Sequence, residues 1–303
     1  MKKIFRTTAN EIRRILCSSG FWLSSALALI ILFTTTAYKE TDGTAYNIFS
    51  AGFIFDKQAL LDNGITVQTL FSTTVRYALP MYGPLLAALA FASILCEEQK
   101  YGVRRYLLFK EGKKSYVFSK ALSAIITSGL VFLISALVLL LFIYWKYPLM
   151  SAHDADGFAY WLDFNSKNPD GTTMVMFQWF GEHAYCLLQL IGVFVYGVFC
   201  GFVGYICTAF FSNVYLAVCI PFFFGYIYYS ITQAIMGRAI EGSVPMELYT
   251  AINTYVSPEG YMLFWRMRDG LVINSIVLVA VWVIAIVIHM FRIEKATDCG
   301  VNR

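Results

Sequence analysis

Six long stretches without a charged side chain constrain this chain more than any other feature. They cover residues 21–38, 78–96, 121–145, 185–211, 214–231 and 271–291. About 20 apolar residues in a helix cross the ~30 Å hydrocarbon layer of a bilayer, and these stretches lack the period-two alternation of a β-barrel strand. The sequence therefore predicts an all-α integral membrane protein with six transmembrane helices.

The composition gives the same result. Hydrophobic residues make up 58% of the 303 residues and charged residues only 14%, which is too little polar surface to cover a soluble core. No segment between the stretches is long enough for a soluble domain, so residues 1–303 are predicted to form one transmembrane domain. Kinks are expected within the spans at Pro80, Pro84 and Pro221, because proline removes a helical hydrogen bond.

The distribution of Lys and Arg predicts the orientation. With the N-terminus inside, fifteen of these residues lie in the inner segments and eight in the longer outer loops. The positive-inside rule then places both termini in the cytoplasm. The expected location is the plasma membrane of a bacterial cell. Anionic lipid head groups account for the net charge of +4, so no nucleic-acid partner is expected. A cleaved signal peptide is the alternative interpretation of the first stretch.

Residues 1–20 are predicted to form an amphipathic helix along the inner membrane surface. Phe5, Ala9, Ile12 and Leu16 follow helical spacing, and Lys and Arg side chains flank them. Such a helix serves either as a membrane anchor or as a contact for a partner protein, and the sequence leaves both roles open.

The sequence has few of the residues that ion-coupled carriers and intramembrane enzymes require. Ion-coupled carriers place ionisable groups near mid-bilayer, whereas the only such group well inside a stretch, apart from cysteine and tyrosine, is His289, about one turn from the inner end. An ion-coupled secondary transporter therefore becomes the alternative function, since carbonyl and hydroxyl groups alone can hold sodium. Glu182 and His183 are the nearest approach to an intramembrane enzyme site, and a water-facing pair explains them better.

Metal and nucleotide sites are not predicted. The acidic and histidine residues of the 146–184 loop lack any metal-ligand spacing, and no Cys-x-x-Cys pair exists. Gly112 and Lys113 resemble part of a phosphate-binding loop, but the glycine expected five residues earlier is Leu107. The chain is therefore expected to bind no metal and no cofactor of its own, and to have no catalytic residues.

Two patterns inside the spans concern packing. Gly197, Gly201 and Gly204 in the fourth span allow close helix approach, either within the subunit or at a dimer interface. In the fifth span, Phe222, Tyr226 and Tyr229 share one face, which either packs on neighbouring helices or lines a path for an apolar substrate.

The loop at 97–120 holds seven of the 23 Lys and Arg residues. Leu107, Leu108 and Phe109 form an apolar insert between cations, which predicts a short amphipathic element suited to a groove on a cytosolic partner. A hairpin resting on lipid fits the same residues. The residues assigned to this coupling loop are Glu97, Glu98, Gly102, Arg104, Arg105, Leu107, Leu108, Lys110, Lys113 and Lys120.

With these features the chain resembles the permease subunits of ABC type-2 transporters, the six-span exporter subunits that include bacitracin and lantibiotic exporters. The resemblance rests on an inner helix with an acidic residue and paired basic residues before an aromatic start of span one, and on an ordered motif after span two. The matching residues are Glu11, Arg13, Arg14, Phe21 and Trp22, then Glu98, Gly102, Leu107, Leu108, Ser115 and Lys120. Glu111, Gly112 and Lys113 replace the family's proline-containing turn.

The resemblance implies an ATP-driven exporter of two permeases and two ATPases. ATP would bind to the partner ATPase, and the 97–120 loop and the Ser212-Asn213 turn would receive its motion. The second permease would be a copy of this chain or a paralogue, with lipid around both. Aromatic, uncharged spans favour a hydrophobic or amphipathic substrate such as a peptide, drug or lipid.

Overall fold

The computed structural model describes residues 2–39, 43–167, 172–243, 245, 247 and 270–301, and 84% of these residues are helical, which confirms the all-α class. The described helices are α1 (Lys2–Leu16), α2 (Ser19–Thr34), α3 (Ile48–Ile54), α4 (Lys57–Asp62), α5 (Val67–Lys100), α6 (Val103–Glu111), α7 (Lys113–Lys146), α8 (Ala155–Ser166), α9 (Val175–Phe180), α10 (His183–Phe210), α11 (Val214–Ile240) and α12 (Gly270–Val301). Strands β1 (Thr36–Lys39) and β2 (Ala45–Asn47) form an antiparallel hairpin.

Among the described residues, four helices are long and apolar enough to cross a membrane, namely α5, α7, α10 and α11. A fifth span results if α1 and α2, which meet at an angle of 60°, are counted as one broken span. These helices are consistent with a transmembrane protein. The first stretch differs from its predicted bounds, because α2 ends at Thr34 and residues 36–39 pair as strand β1.

The second predicted span is only part of a longer helix. Helix α5 begins eleven residues before the predicted start at residue 78, and Thr66 caps it by accepting a hydrogen bond from the Thr69 backbone. Its first turns include buried Gln68 and Ser72, and the charged Arg76 separates these turns from the predicted uncharged run.

A side-chain hydroxyl compensates for one of the two prolines of α5. Pro84 has no N–H to bond the carbonyl of Pro80, and the buried Tyr196 hydroxyl of α10 donates to that carbonyl at 3.3 Å. The Ser24 hydroxyl of α2 also contacts α5, donating to the Leu86 carbonyl at 2.6 Å. Helix α5 remains continuous through both prolines.

The core lies where α5, α7 and α10 meet, and glycines allow the close approach. A Cβ on Gly197 would come within 2.8 Å of Phe132 and 2.9 Å of the Gly129 Cα. A Cβ on Gly201 would meet Ser128 at 2.8 Å, and one on Gly204 would meet Ala88 at 3.0 Å. The glycines of the fourth span therefore pack inside the subunit, against α7 and α5.

Polar contacts connect the start of α5, the end of α7 and the start of α10 at one end of the bundle. Glu182, before α10, accepts hydrogen bonds from Gln68 of α5 at 2.9 Å and from the Ser151 backbone at 3.0 Å. The Tyr147 hydroxyl donates to the Ile48 carbonyl at 2.6 Å and so fixes α3 against the end of α7. These contacts lie at the end of the bundle opposite the site described next.

Candidate functional site

The predicted coupling loop is a short helix between two glycine turns. Gly102 (φ +71°) and Gly112 (φ +83°) are in the left-handed region, where a side chain would be strained, and they separate α6 from α5 and α7. Helix α6 therefore forms a rigid nine-residue segment between the second and third spans.

One face of helix α6 packs against the helix bundle. Its partly buried side chains are Arg104, Leu107, Leu108 and Glu111, at i, i+3, i+4 and i+7. Leu107 and Leu108 pack against a cluster that contains Tyr116, Val117 and Ile293. The structure therefore places both leucines against the protein, unlike the outward ridge predicted from sequence.

The outward face of α6 carries apolar and cationic side chains together. Phe109 is 92% exposed and Tyr106 is 64% exposed, with exposed Arg105 and Lys110 beside them. Phe109 and Tyr106 thus form a small exposed apolar surface between cations, which suits contact with lipid head groups or with a protein. This surface is called the outward face of α6 below.

Behind α6 lies a group of charges, all buried except Arg14, which we call the ion cluster: Glu11, Arg14, Glu98 and Lys120, with the Tyr116 hydroxyl. The Lys120 ammonium lies 2.5 Å from a Glu11 oxygen and 2.6 Å from a Glu98 oxygen. Arg14 donates to the same Glu98 oxygen, and Tyr116 donates to the other at 3.0 Å. The Lys120 and Glu98 side chains are only 2% and 1% exposed.

The ion cluster joins three helices at one point. Glu11 and Arg14 come from α1, Glu98 from the end of α5 and Lys120 from the start of α7. Two carboxylates and two cations balance in charge, and removing one of the buried partners Glu98 and Lys120 costs about 3–5 kcal/mol. The cluster therefore fixes α1 to the ends of the spans that flank α6.

Helix α1 has one buried face and one exposed face. Thr8, Glu11 and Ile15 are buried against the protein, whereas Phe5 and Ala9 of the predicted apolar stripe are exposed. Ile12 and Leu16 of the same stripe are partly buried, and Leu16 packs on the core, so only the first half of the stripe points away from the bundle. This first half fits an interfacial helix in contact with lipid.

The two predicted coupling segments meet at a cleft. Cys96, Glu97, Lys100 and Tyr101 from α5 face the 212–215 segment across a cavity of about 420 Å³, lined there by Ser212, Asn213, Val214 and Tyr215. The Gln99 side chain holds the walls together by donating to the Thr208 carbonyl at 2.7 Å. Glu97, Ser212 and Asn213 therefore lie together at the end of the bundle that also holds α6.

Glu182, His183 and His289 each contact neighbouring parts of the protein. His183 is 2.8 Å from the Tyr144 hydroxyl, while Glu182 accepts bonds from Gln68 and Ser151, so the two side chains have separate partners. His289 stacks on Tyr205 and donates to its carbonyl at 2.7 Å, and its contact is thus a neighbouring helix.

The aromatic stripe of α11 is divided between two surroundings. Phe222 stacks on Tyr82 of α5 with ring centroids 6.3 Å apart, whereas Tyr226 is exposed. Tyr229 is partly buried. Packing on a neighbouring helix accounts for Phe222, and a substrate path along the stripe stays a prediction.

No group of three or more potential metal ligands occurs within the described parts of the chain.

Sequence reasoning did not anticipate the ion cluster. Glu11 was identified only through the family resemblance, Arg14 also as one of the cations of the N-terminal helix, and Tyr116 was not identified. The available signal was a single carboxylate in an otherwise basic amphipathic helix, together with a lysine at the start of a span.

Comparisons with protein-family models, with curated proteins and with solved structures find no match to this chain.

Proposed function

We propose that this chain is the membrane-spanning permease subunit of an ATP-driven ABC exporter, with six spans and both termini in the cytoplasm. In this proposal α1 and α2 supply the interfacial helix and the first span, and α12 supplies the sixth span. A separate ATPase binds and hydrolyses ATP, and the substrate is hydrophobic or amphipathic. The second permease is a copy of this chain or a paralogue.

The observation that carries the proposal is the outward face of α6. A hinged helix with an exposed Phe109 between cations fits a groove that is apolar at its base and acidic at its rim. The ion cluster fixes the ends of α5 and α7 next to it, so force applied to α6 reaches two spans directly.

The cleft adds a second point of contact on the same side. Ser212 and Asn213 join α10 to α11 and lie across the cleft from Glu97. A partner that covers α6 and the cleft together would therefore act on α5, α7, α10 and α11 at once.

Phe109→Asp tests the proposal. It places a charge at the centre of the docking face and leaves the internal contacts of α6 unchanged, whereas a charge at Leu107 would also disrupt packing against Tyr116. Loss of a well-buried aromatic contact weakens a complex by about 2 kcal/mol or more, which is roughly thirtyfold. We expect an ATPase with a phosphate-binding loop to copurify with the wild type and not with Phe109→Asp.

Phe164→Asp is the matched control, because Phe164 is an exposed phenylalanine on α8. It should leave ATPase recovery and ATP-dependent transport in proteoliposomes unchanged. Equal recovery with Phe109→Asp, or transport driven by an ion gradient without nucleotide, would overturn the proposal. Protection of Phe109→Cys from a water-soluble maleimide in proteoliposomes without the partner would show instead that α6 rests in lipid.

A further inference from the structure

Arg104 is a cation that lacks a hydrogen-bond partner at one nitrogen. It lies on the inward face of α6, and its Nη2 atom is buried without a hydrogen-bond partner among the described residues. A buried guanidinium nitrogen in this state is costly, because charged donors lose the most when water is removed. Arg104 therefore has a donor nitrogen that could bind a further acceptor.

The ion cluster offers such an acceptor. Arg104 lines a small cavity together with Tyr116 and Lys120, and both of these residues bond to Glu98. Arg104 and the Glu98 carboxylate therefore share two neighbours. Glu98 accepts hydrogen bonds from two helices, from Arg14 of α1 and from Lys120 and Tyr116 of α7.

One of the bonds to Glu98 is easily lost. Arg14 belongs to α1 and its side chain is 46% exposed, whereas Lys120 and Tyr116 belong to α7 and are buried. If α1 left the bundle, Glu11 and Arg14 would leave together, and Glu98 would keep Lys120 and Tyr116. The place of Arg14 on the carboxylate would then be open to another donor.

Helix α6 is built to supply that donor. Gly102 and Gly112 bound it, and an added Cβ at either glycine would meet nothing within 4 Å, so both turns have room to rotate. None of its side chains is fully buried. The helix can therefore shift as a unit at a small cost in lost packing.

We propose that Arg104 replaces Arg14 on Glu98 when α1 separates from α7. The ion cluster then has two states, one closed by α1 and one closed by α6, and the buried carboxylate stays paired in both. A movement of α6 toward Glu98 releases α1, and separation of α1 draws α6 inward. This exchange is a property of α1, α6 and Glu98 themselves and does not depend on an ATPase partner.

The rate at which a cysteine on the buried face of α1 reacts with N-ethylmaleimide measures the separation. Thr8 is buried, and its hydroxyl bonds only the Ile4 carbonyl of the same helix, so Thr8→Cys is a mild change. The purified full-length chain would carry it with Cys17, Cys219 and Cys299 changed to serine. Because labelling requires α1 to separate, its rate follows the population of the open state.

We expect Arg104→Gln to slow labelling about tenfold, because the open state loses a charge-assisted hydrogen bond. Arg104→Lys should retain most of the wild-type rate, and Arg105→Gln, on the exposed face of α6, should leave it unchanged. Arg14→Gln should speed labelling and so show that the assay detects opening.

The sign of the Arg104→Gln effect decides the proposal. If Arg104 merely stabilised the closed fold, its removal would loosen the bundle and labelling would become faster. A rate for Arg104→Gln equal to or above that of the wild type therefore overturns the exchange. Unchanged circular dichroism would confirm that each variant is folded.

Discussion

At the scale of single residues, polar side chains mark the places where the bundle needs them. The Tyr196 hydroxyl bonds a carbonyl that Pro84 leaves without a donor, and Lys120 neutralises carboxylates from two other helices. Glu111 lacks such a pairing at one oxygen, because its Oε2 atom is buried without a hydrogen-bond partner in the described structure. Burial, with help from the nearby Glu11 carboxylate, raises the pKa of Glu111 above its ordinary value of 4.5.

This shift predicts a pH-dependent stability. Since folding raises the pKa of Glu111, the folded state favours the protonated carboxyl, and its stabilising contribution is present below pH 4.5 and lost as the pH rises through the raised value. Glu111→Gln should therefore raise the unfolding temperature at neutral pH. The gain in the free energy of unfolding should be less than about 1 kcal/mol, because solvent screens the group. The gain should vanish in acid.

Thermal unfolding of the purified variants across this pH range is the measurement. Glu97→Gln, a change at an exposed carboxylate of α5, is the control and should not reproduce the effect. Parallel pH profiles for the wild type and Glu111→Gln would contradict the assignment.

At the scale of helices, close packing and helix propensity make opposite demands on glycine. Gly197 of α10 lies against Phe132 and the α7 backbone, whereas nothing lies within 4 Å of an added Cβ at Gly237 of α11. Gly197→Ala should therefore destabilise the protein by about 1–3 kcal/mol through overpacking. Gly237→Ala should stabilise α11 by up to about 1 kcal/mol, because alanine is the better helix former.

Unfolding temperatures of the two variants provide the test. Each exchanges one helical glycine for alanine, so a common effect of the substitution cancels in the comparison. Equal shifts, or a more stable Gly197→Ala, would show that α7 and α10 are not in close contact.

The helices also show how far sequence patterns reach. The uncharged runs predicted α10 closely, whereas α7 begins at Lys113, eight residues before the predicted start, because Lys120 ends the uncharged run. They missed the first eleven residues of α5, since the charged Arg76 interrupts the run although the helix continues through it. They also extended α2 into β1, because a run of apolar and hydroxyl residues is compatible with either structure.

At the scale of the whole molecule, the candidate site depends on contacts between residues far apart in the chain. Glu11 and Lys120 are separated by 109 positions and Arg14 and Glu98 by 84, so local periodicity contains no record of either pair. The pattern did indicate that residues 97–120 were unusual. It could not assign inward and outward faces to α6, because Leu107 and Phe109 are both large and apolar, and only the position of α7 and α12 distinguishes them.

The positions of α6 and α8 at opposite ends of the bundle make the proposed topology testable. Lys114, beside α6, and Tyr160, in α8, are both exposed. With cytoplasmic termini, a membrane-impermeant maleimide applied to intact cells should label Tyr160→Cys, and should label Lys114→Cys only after the membrane is permeabilised. The same cysteine-to-serine background at positions 17, 219 and 299 keeps the signal specific. The reverse pattern would place α6 and the ion cluster outside the cell, where no ATPase could reach them, and the exporter proposal would fail even though the fold itself remained correct.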